Sequence, residues 1–102
     1  MQFKNPFPMR LKNARTVAKL SQKELGIRIG MEPSSASGRM NHYEKGRHFP
    51  DVNTLKRLAE ELNVPLNYFF CEKGLMAEMV LLFNSLTDEE KEKLVQELKS
   101  KY

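Results

Sequence analysis

Apolar residues recur three and four positions apart along nearly the whole chain, and no stretch alternates in the two-residue rhythm of a strand. The first helical stripe is Leu11, Ala14 and Ala18 with Val17 beside it. It is entered through Pro8, at a place where a missing N–H costs nothing, and ends near Lys19. Ser21 offers an N-cap, and Glu24 three residues on completes a capping box for a second helix. That helix runs through Leu25, Gly26 and Ile29 and stops at Gly30. Met31-Glu32-Pro33-Ser34 is a turn: Pro33 disfavours helical geometry at Glu32, and Ser34 or Ser35 can cap the next helix. This third helix is predicted over residues 35–44, with Met40 and Tyr43 inward and Lys45-Gly46 closing it.

After the loop Arg47-His48-Phe49-Pro50, Asp51 caps a fourth helix whose stripe is Val52, Leu55, Leu58, Ala59 and Leu62. Pro65-Leu66 opens a short fifth helix carrying Tyr68, Phe69 and Phe70. Glu72-Lys73-Gly74 is the one plausible boundary. Beyond it, Leu75, Met76, Met79, Val80, Leu82 and Phe83 form a sixth helix. Thr87 and Glu90 make another capping box and start a seventh, with Leu94, Val95 and Leu98 inward. The expected fold is all-α: a five-helix unit over residues 1–72 and a helical hairpin over 73–102. The hairpin carries more apolar surface than two helices can hide on each other. Packing against the fifth helix would cover some of it, but the expectation is a homodimer through residues 75–98.

Charge sharpens this picture. Up to residue 57 there are twelve Lys/Arg against four Asp/Glu, and beyond it five against nine, within a net charge of +4. A basic front and an acidic back suit a polyanion met from one side. Cys71 is the only cysteine, so there is no intrachain disulfide, and its simplest role is a small hydrophobe. The first nine residues hold no apolar run of the signal-peptide kind. The longest apolar stretch, residues 75–83, is interrupted by Glu78 and far short of the ~20 residues that span a bilayer. No membrane association is expected, and the location expected is the cytoplasm, at the nucleoid.

Five segments then stand in order: Leu20-Ser21-Gln22-Lys23-Glu24-Leu25-Gly26; Gly30; Tyr43-Glu44-Lys45-Gly46-Arg47 with Pro50; Thr54-Leu55-Lys56-Arg57-Leu58-Ala59; and Leu62-Asn63-Val64-Pro65-Leu66. Together they resemble the Cro/lambda-repressor-like (XRE) helix-turn-helix regulators. The resemblance implies a lambda-repressor-like DNA-binding domain with a C-terminal two-helix extension. It implies binding of a double-stranded DNA operator as a transcriptional regulator of repressor type, with residues 35–44 in the major groove. An adaptor or antitoxin-like module on the same fold is the alternative.

In such a fold the second helix crosses above the third, and Gly26 stands at the crossing, where the family usually has alanine. With Met40 and Tyr43 inward, the outer side of the third helix carries Ser37, Gly38, Arg39, Asn41 and His42. These are the expected base readers: family register puts Ser37, Gly38 and His42 at the usual positions, with Arg39 and Asn41 beside them. Arginine pairs with guanine and asparagine with adenine. Ser21, Gln22, Ser35, Lys45, Arg47 and His48 are the expected phosphate contacts, Ser21 doubling as a helix cap. Arg15 and Glu44 match a family ion pair with a structural role. One departure is a turn longer by about four residues at 31–35, under which Ile27 and Met31 are expected to pack.

No nucleophile elbow, phosphate-cradling glycine loop or metal-ligand spacing is present, and His42 and His48 are six apart. The chain is therefore not expected to be an enzyme, and no metal, cofactor or small-molecule ligand is expected.

Overall fold

A computed structural model describes residues 3–102 as six α-helices and one 3-10 turn, with no strand among the described residues. They are α1 (Phe7–Val17), α2 (Gln22–Arg28), α3 (Pro33–Glu44), α4 (Val52–Leu62), the 3-10 turn (Leu66–Phe70), α5 (Gly74–Ser85) and α6 (Asp88–Lys101).

Side-chain caps set several of the helix starts. Ser21 Oγ accepts from the Glu24 N–H at 2.9 Å, Asp51 Oδ1 from the Thr54 N–H at 2.7 Å, and Thr87 and Glu90 form a reciprocal capping box. The Asp51 carboxyl is held below its usual range, chiefly by that backbone hydrogen bond. The stops use left-handed residues: Lys19 just after α1 and Asn63 after α4, at φ 59° and 55°. Gly46 has φ 73° in the turn leaving α3, where any side chain would be strained.

The start of α3 differs from expectation. The helix begins at Pro33, with Glu32 as its extended N-cap and no side-chain cap from Ser34 or Ser35. Pro33 occupies the first helical position, where its missing N–H is free of cost, so part of the extra length at 31–35 is added helix rather than added loop.

The core is built on Phe7, Leu11, Leu25, Met40, Leu58 and Phe69, all fully buried. In α1 the inward line is Phe7, Leu11 and Ala14, and Val17 and Ala18 lie on the surface, Val17 at 82% exposure. In α4 Val52 is likewise exposed, leaving Leu55, Leu58, Ala59 and Leu62 to pack. Phe7 is the aromatic hub, its ring edge-on to Phe69, Phe49 and Tyr43 at 5.3, 5.1 and 6.5 Å between centroids. Arg10 lies on the same side of α1 and is 7% exposed. Its Nε donates to the Cys71 carbonyl at 3.0 Å, and its guanidinium sits 5.8 Å from the centre of the Tyr68 ring. Cys71 itself is buried.

The tail adds little to this core. Ala77 is the one buried residue of α5, Val80 packs partly against the core, and α6 buries none. The radius of gyration is 15.6 Å, where a compact chain of this length has about 13 Å, and the molecule measures 53 × 36 × 22 Å.

Candidate nucleic-acid interface

α2 and α3 approach each other closely because Gly26 has no side chain. A Cβ there would stand 2.8 Å from the Ala36 Cβ and 3.0 Å from the Met31 sulfur, so even alanine would force a shift. Met31 is buried under this crossing, as its position suggested, whereas Ile27 is exposed on the other side of α2. With Ala36, Met40 and Tyr43 inward, α3 turns its other side to solvent.

On that side Ser37, Gly38 and Arg39 are exposed, and Asn41 and His42 are half-buried at its edge. Ser35 is half-buried in the first turn. The Arg47 N–H donates to the His42 carbonyl at 2.9 Å, folding the cationic loop back over the end of α3. Lys45, Arg47 and His48 are all exposed there. The His48 ring stacks on His42 at 5.0 Å between centroids and 21° between planes. His42 Nδ1 is buried without a hydrogen-bond partner.

Arg15 of α1 clamps this helix. Its Nε donates to Glu44 Oε2 at 2.6 Å, Nη2 to Oε1 at 3.0 Å, and Nη1 to the Leu20 carbonyl at 2.9 Å. The Glu44 side chain is only 3% exposed, so the carboxylate depends on these donors. The hydrogen bond to Glu44 raises the Arg15 pKa further above its already high usual value. Gln22 joins the cluster from α2: its Nε2 donates to Glu44 Oε1 at 3.1 Å and to Asn41 Oδ1 at 3.2 Å. Ser21 is exposed, and its oxygen is used by the Glu24 N–H, which leaves the hydroxyl hydrogen free to donate outward.

The structure thus brings Ser21, Gln22, Asn41 and the Arg15–Glu44 pair together at one edge of α3, and His42, His48 and Arg47 at its C-terminal end. Sequence reasoning missed the bond from Gln22 to Asn41, which no local spacing announces. It also missed Arg10, whose position three residues after Phe7 and four before Ala14 places it on an inward line. Among the described residues, no group of three or more His, Cys, Asp or Glu could hold a metal ion. No described helix is long and apolar enough to cross a membrane.

Two short helices crossing at a glycine, the second with its outer side bare, are the architecture of a helix-turn-helix protein. The helix-turn-helix domain family matches residues 9–75, and the chain belongs to it, in agreement with the XRE-like motifs. A crystal structure titled transcriptional regulator BswR is 44% identical, covers 92% of this chain and 93% of its own, and superposes with a TM-score of 0.88. Vegetative-specific protein H7 of Dictyostelium discoideum is 37% identical over 59 residues, or 58% of this chain. The match spans about half of that relative, 53% of its length.

Proposed function

We propose that this chain is a sequence-specific regulator of transcription, of repressor type, that binds double-stranded DNA with α3 in the major groove. The observation that carries the reading is the bare outer side of α3, Ser37–Gly38–Arg39, flanked by the exposed cations Lys45 and Arg47. A helix fits the major groove, and cations beside it neutralise phosphates. The similarity to a protein titled a transcriptional regulator supports the same reading. In it, Ser37, Gly38, Arg39 and His42 meet base edges, while Ser21, Ser35, Lys45, Arg47 and His48 meet the backbone.

Residues 1–72 act as the reading head and 73–102 as the assembly tail of a homodimer. Leu75, Met76, Met79 and Leu82 are exposed on α5, Leu75 at 79%, and Leu98 is exposed on α6. A surface of this kind is costly in water unless a partner covers it. Two heads joined through it would address half-sites about 34 Å apart.

Selection from randomised duplexes tests the reading, with light scattering for mass in the same buffer. An enriched palindromic motif and a dimer mass are expected, and Met79→Glu should give a monomer that binds one half-site weakly. No enriched motif would refute sequence-specific regulation and favour an adaptor on the same fold.

A further inference from the structure

The hydrogen bonds that begin at Arg15 continue to the edge of α3 with a fixed direction. Glu44 is a carboxylate, so whatever reaches it must donate. Gln22 does so through Nε2, which anchors its side-chain amide with the nitrogen inward. Its second N–H donates to Asn41 Oδ1. The two ends of an amide have the same shape, but the charge on Glu44 removes the ambiguity. Turning Gln22 over would set its oxygen against the carboxylate, and turning Asn41 over would set two NH2 groups against each other. Both N–H groups of Gln22 are therefore spent within the protein. Its free atom, Oε1, is an acceptor and gains nothing from a phosphate oxygen. Asn41 keeps both N–H groups of Nδ2 for an outside partner, and it stands one helical turn from the exposed Ser37.

We infer that Gln22 is a positioning residue rather than a phosphate ligand, and that Asn41 meets DNA as a donor only. The inference rests on the reading of this face as a DNA interface. The partner of Asn41 is an acceptor atom: a phosphate oxygen, the N7 of either purine, guanine O6 or thymine O4. The two-point pairing of asparagine with adenine is not made, because it needs the side-chain oxygen that is turned to Gln22. The buried carboxylate thereby sets which chemical character one position of the reading surface displays.

Anisotropy titrations of the full chain on the selected duplex and a scrambled one test this. Asn41→Ala should weaken binding about 10-fold, the usual size for one hydrogen bond to a charged or base acceptor. An equal loss on both duplexes assigns a phosphate, and a loss on the selected duplex alone assigns a base. Asn41→Asp keeps the oxygen that accepts from Gln22 but adds a negative charge beside Glu44, so it should stay folded with a lower melting temperature, and it should bind less well than Asn41→Ala. Binding as tight as the unsubstituted chain by Asn41→Asp, or unchanged affinity in Asn41→Ala, would overturn the assignment.

A double-mutant cycle separates the two roles. Gln22→Ala should weaken binding in the unsubstituted chain and cost nothing further once Asn41 is alanine. An equal cost in both backgrounds would place Gln22 on the DNA itself. In the free protein, the Gln22 side-chain N–H protons should exchange with water more slowly than those of Asn41, and the reverse order would overturn the relay without reference to DNA. If the order holds and no duplex binds even at low salt, the DNA reading fails and the relay stands.

Discussion

Gly38 offers a substitution whose effects on stability and on binding should have opposite signs. It is the sixth of twelve residues in α3, it is exposed, and an added Cβ would meet nothing within 4 Å. Its φ is not positive, so the helix gains nothing from a glycine there. Alanine is favoured over glycine inside a helix by about 0.8–1.0 kcal/mol, and with no neighbour to disturb, Gly38→Ala should recover most of it. For a domain of this size, about 1 kcal/mol corresponds to a rise in melting temperature of roughly 4–8 °C. The binding effect runs the other way if α3 lies flush in the groove, because a methyl inserted into a packed contact costs about 1–3 kcal/mol, or roughly 5–150-fold in Kd. A methyl can also favour thymine at the facing position, which would appear as a changed preference. Thermal melts followed by circular dichroism, with anisotropy on the selected duplex, read both numbers. A lower melting temperature would show that the glycine is needed by the fold. A higher one with unchanged affinity and unchanged preference would remove Gly38 from the interface and refute the reading register.

Three further outcomes are expected. Arg15→Ala should cost about 2–4 kcal/mol in urea denaturation, somewhat less than a fully buried pair because Arg15 reaches solvent, since it strands the Glu44 carboxylate. A loss under about 1 kcal/mol, the range of an ordinary surface pair, would deny the clamp a structural role. Gly26→Ala should destabilise by about 1–3 kcal/mol through overpacking against Ala36 and Met31, against the ordinary gain of alanine in a helix, and a stabilised variant would mean the crossing is looser than described. The lowered Asp51 pKa stabilises the fold above the ordinary aspartate range, and that stability is lost as pH falls through the depressed value. Asp51→Asn keeps the cap without the titration, so its melting temperature should approach that of the unsubstituted chain as pH drops from about 7 towards about 3, across the carboxylate range; a constant gap would refute the linkage.

The helix starts were legible where a capping residue and an apolar period agree, as at Ser21, Asp51 and Thr87. Periodicity gives the direction of a face but not how far cover extends along it, which is why Val17 and Val52 fit the inward stripes by spacing and yet lie in solvent. Pro33 is ambiguous by nature: the restriction it imposes on Glu32 marks a turn, and its own fixed φ suits the first residue of a helix. The second use prevails here because Ala36 already belongs to the core. The outer side of α3 was legible as a face, since Met40 and Tyr43 fix the rotation of the helix. The bond from Gln22 to Asn41 was not, because it depends on the relative register of two helices and joins residues nineteen apart. Arg10 was missed for the same kind of reason. Its spacing puts it on the inward line of α1, but its acceptor, the Cys71 carbonyl, is 61 residues away, and nothing local announces the partner that lets a charge be enclosed.

Arg10 and Arg15 also divide the molecule by the kind of partner each one holds. Arg15 grips a carboxylate, so its hold is charge on charge. Arg10 has no carboxylate partner among the described residues and holds a carbonyl and an aromatic ring, neither of which carries a net charge. Loss of one negative charge at Glu44 would therefore slacken α3, while the junction that launches the C-terminal helices has no opposite charge to lose.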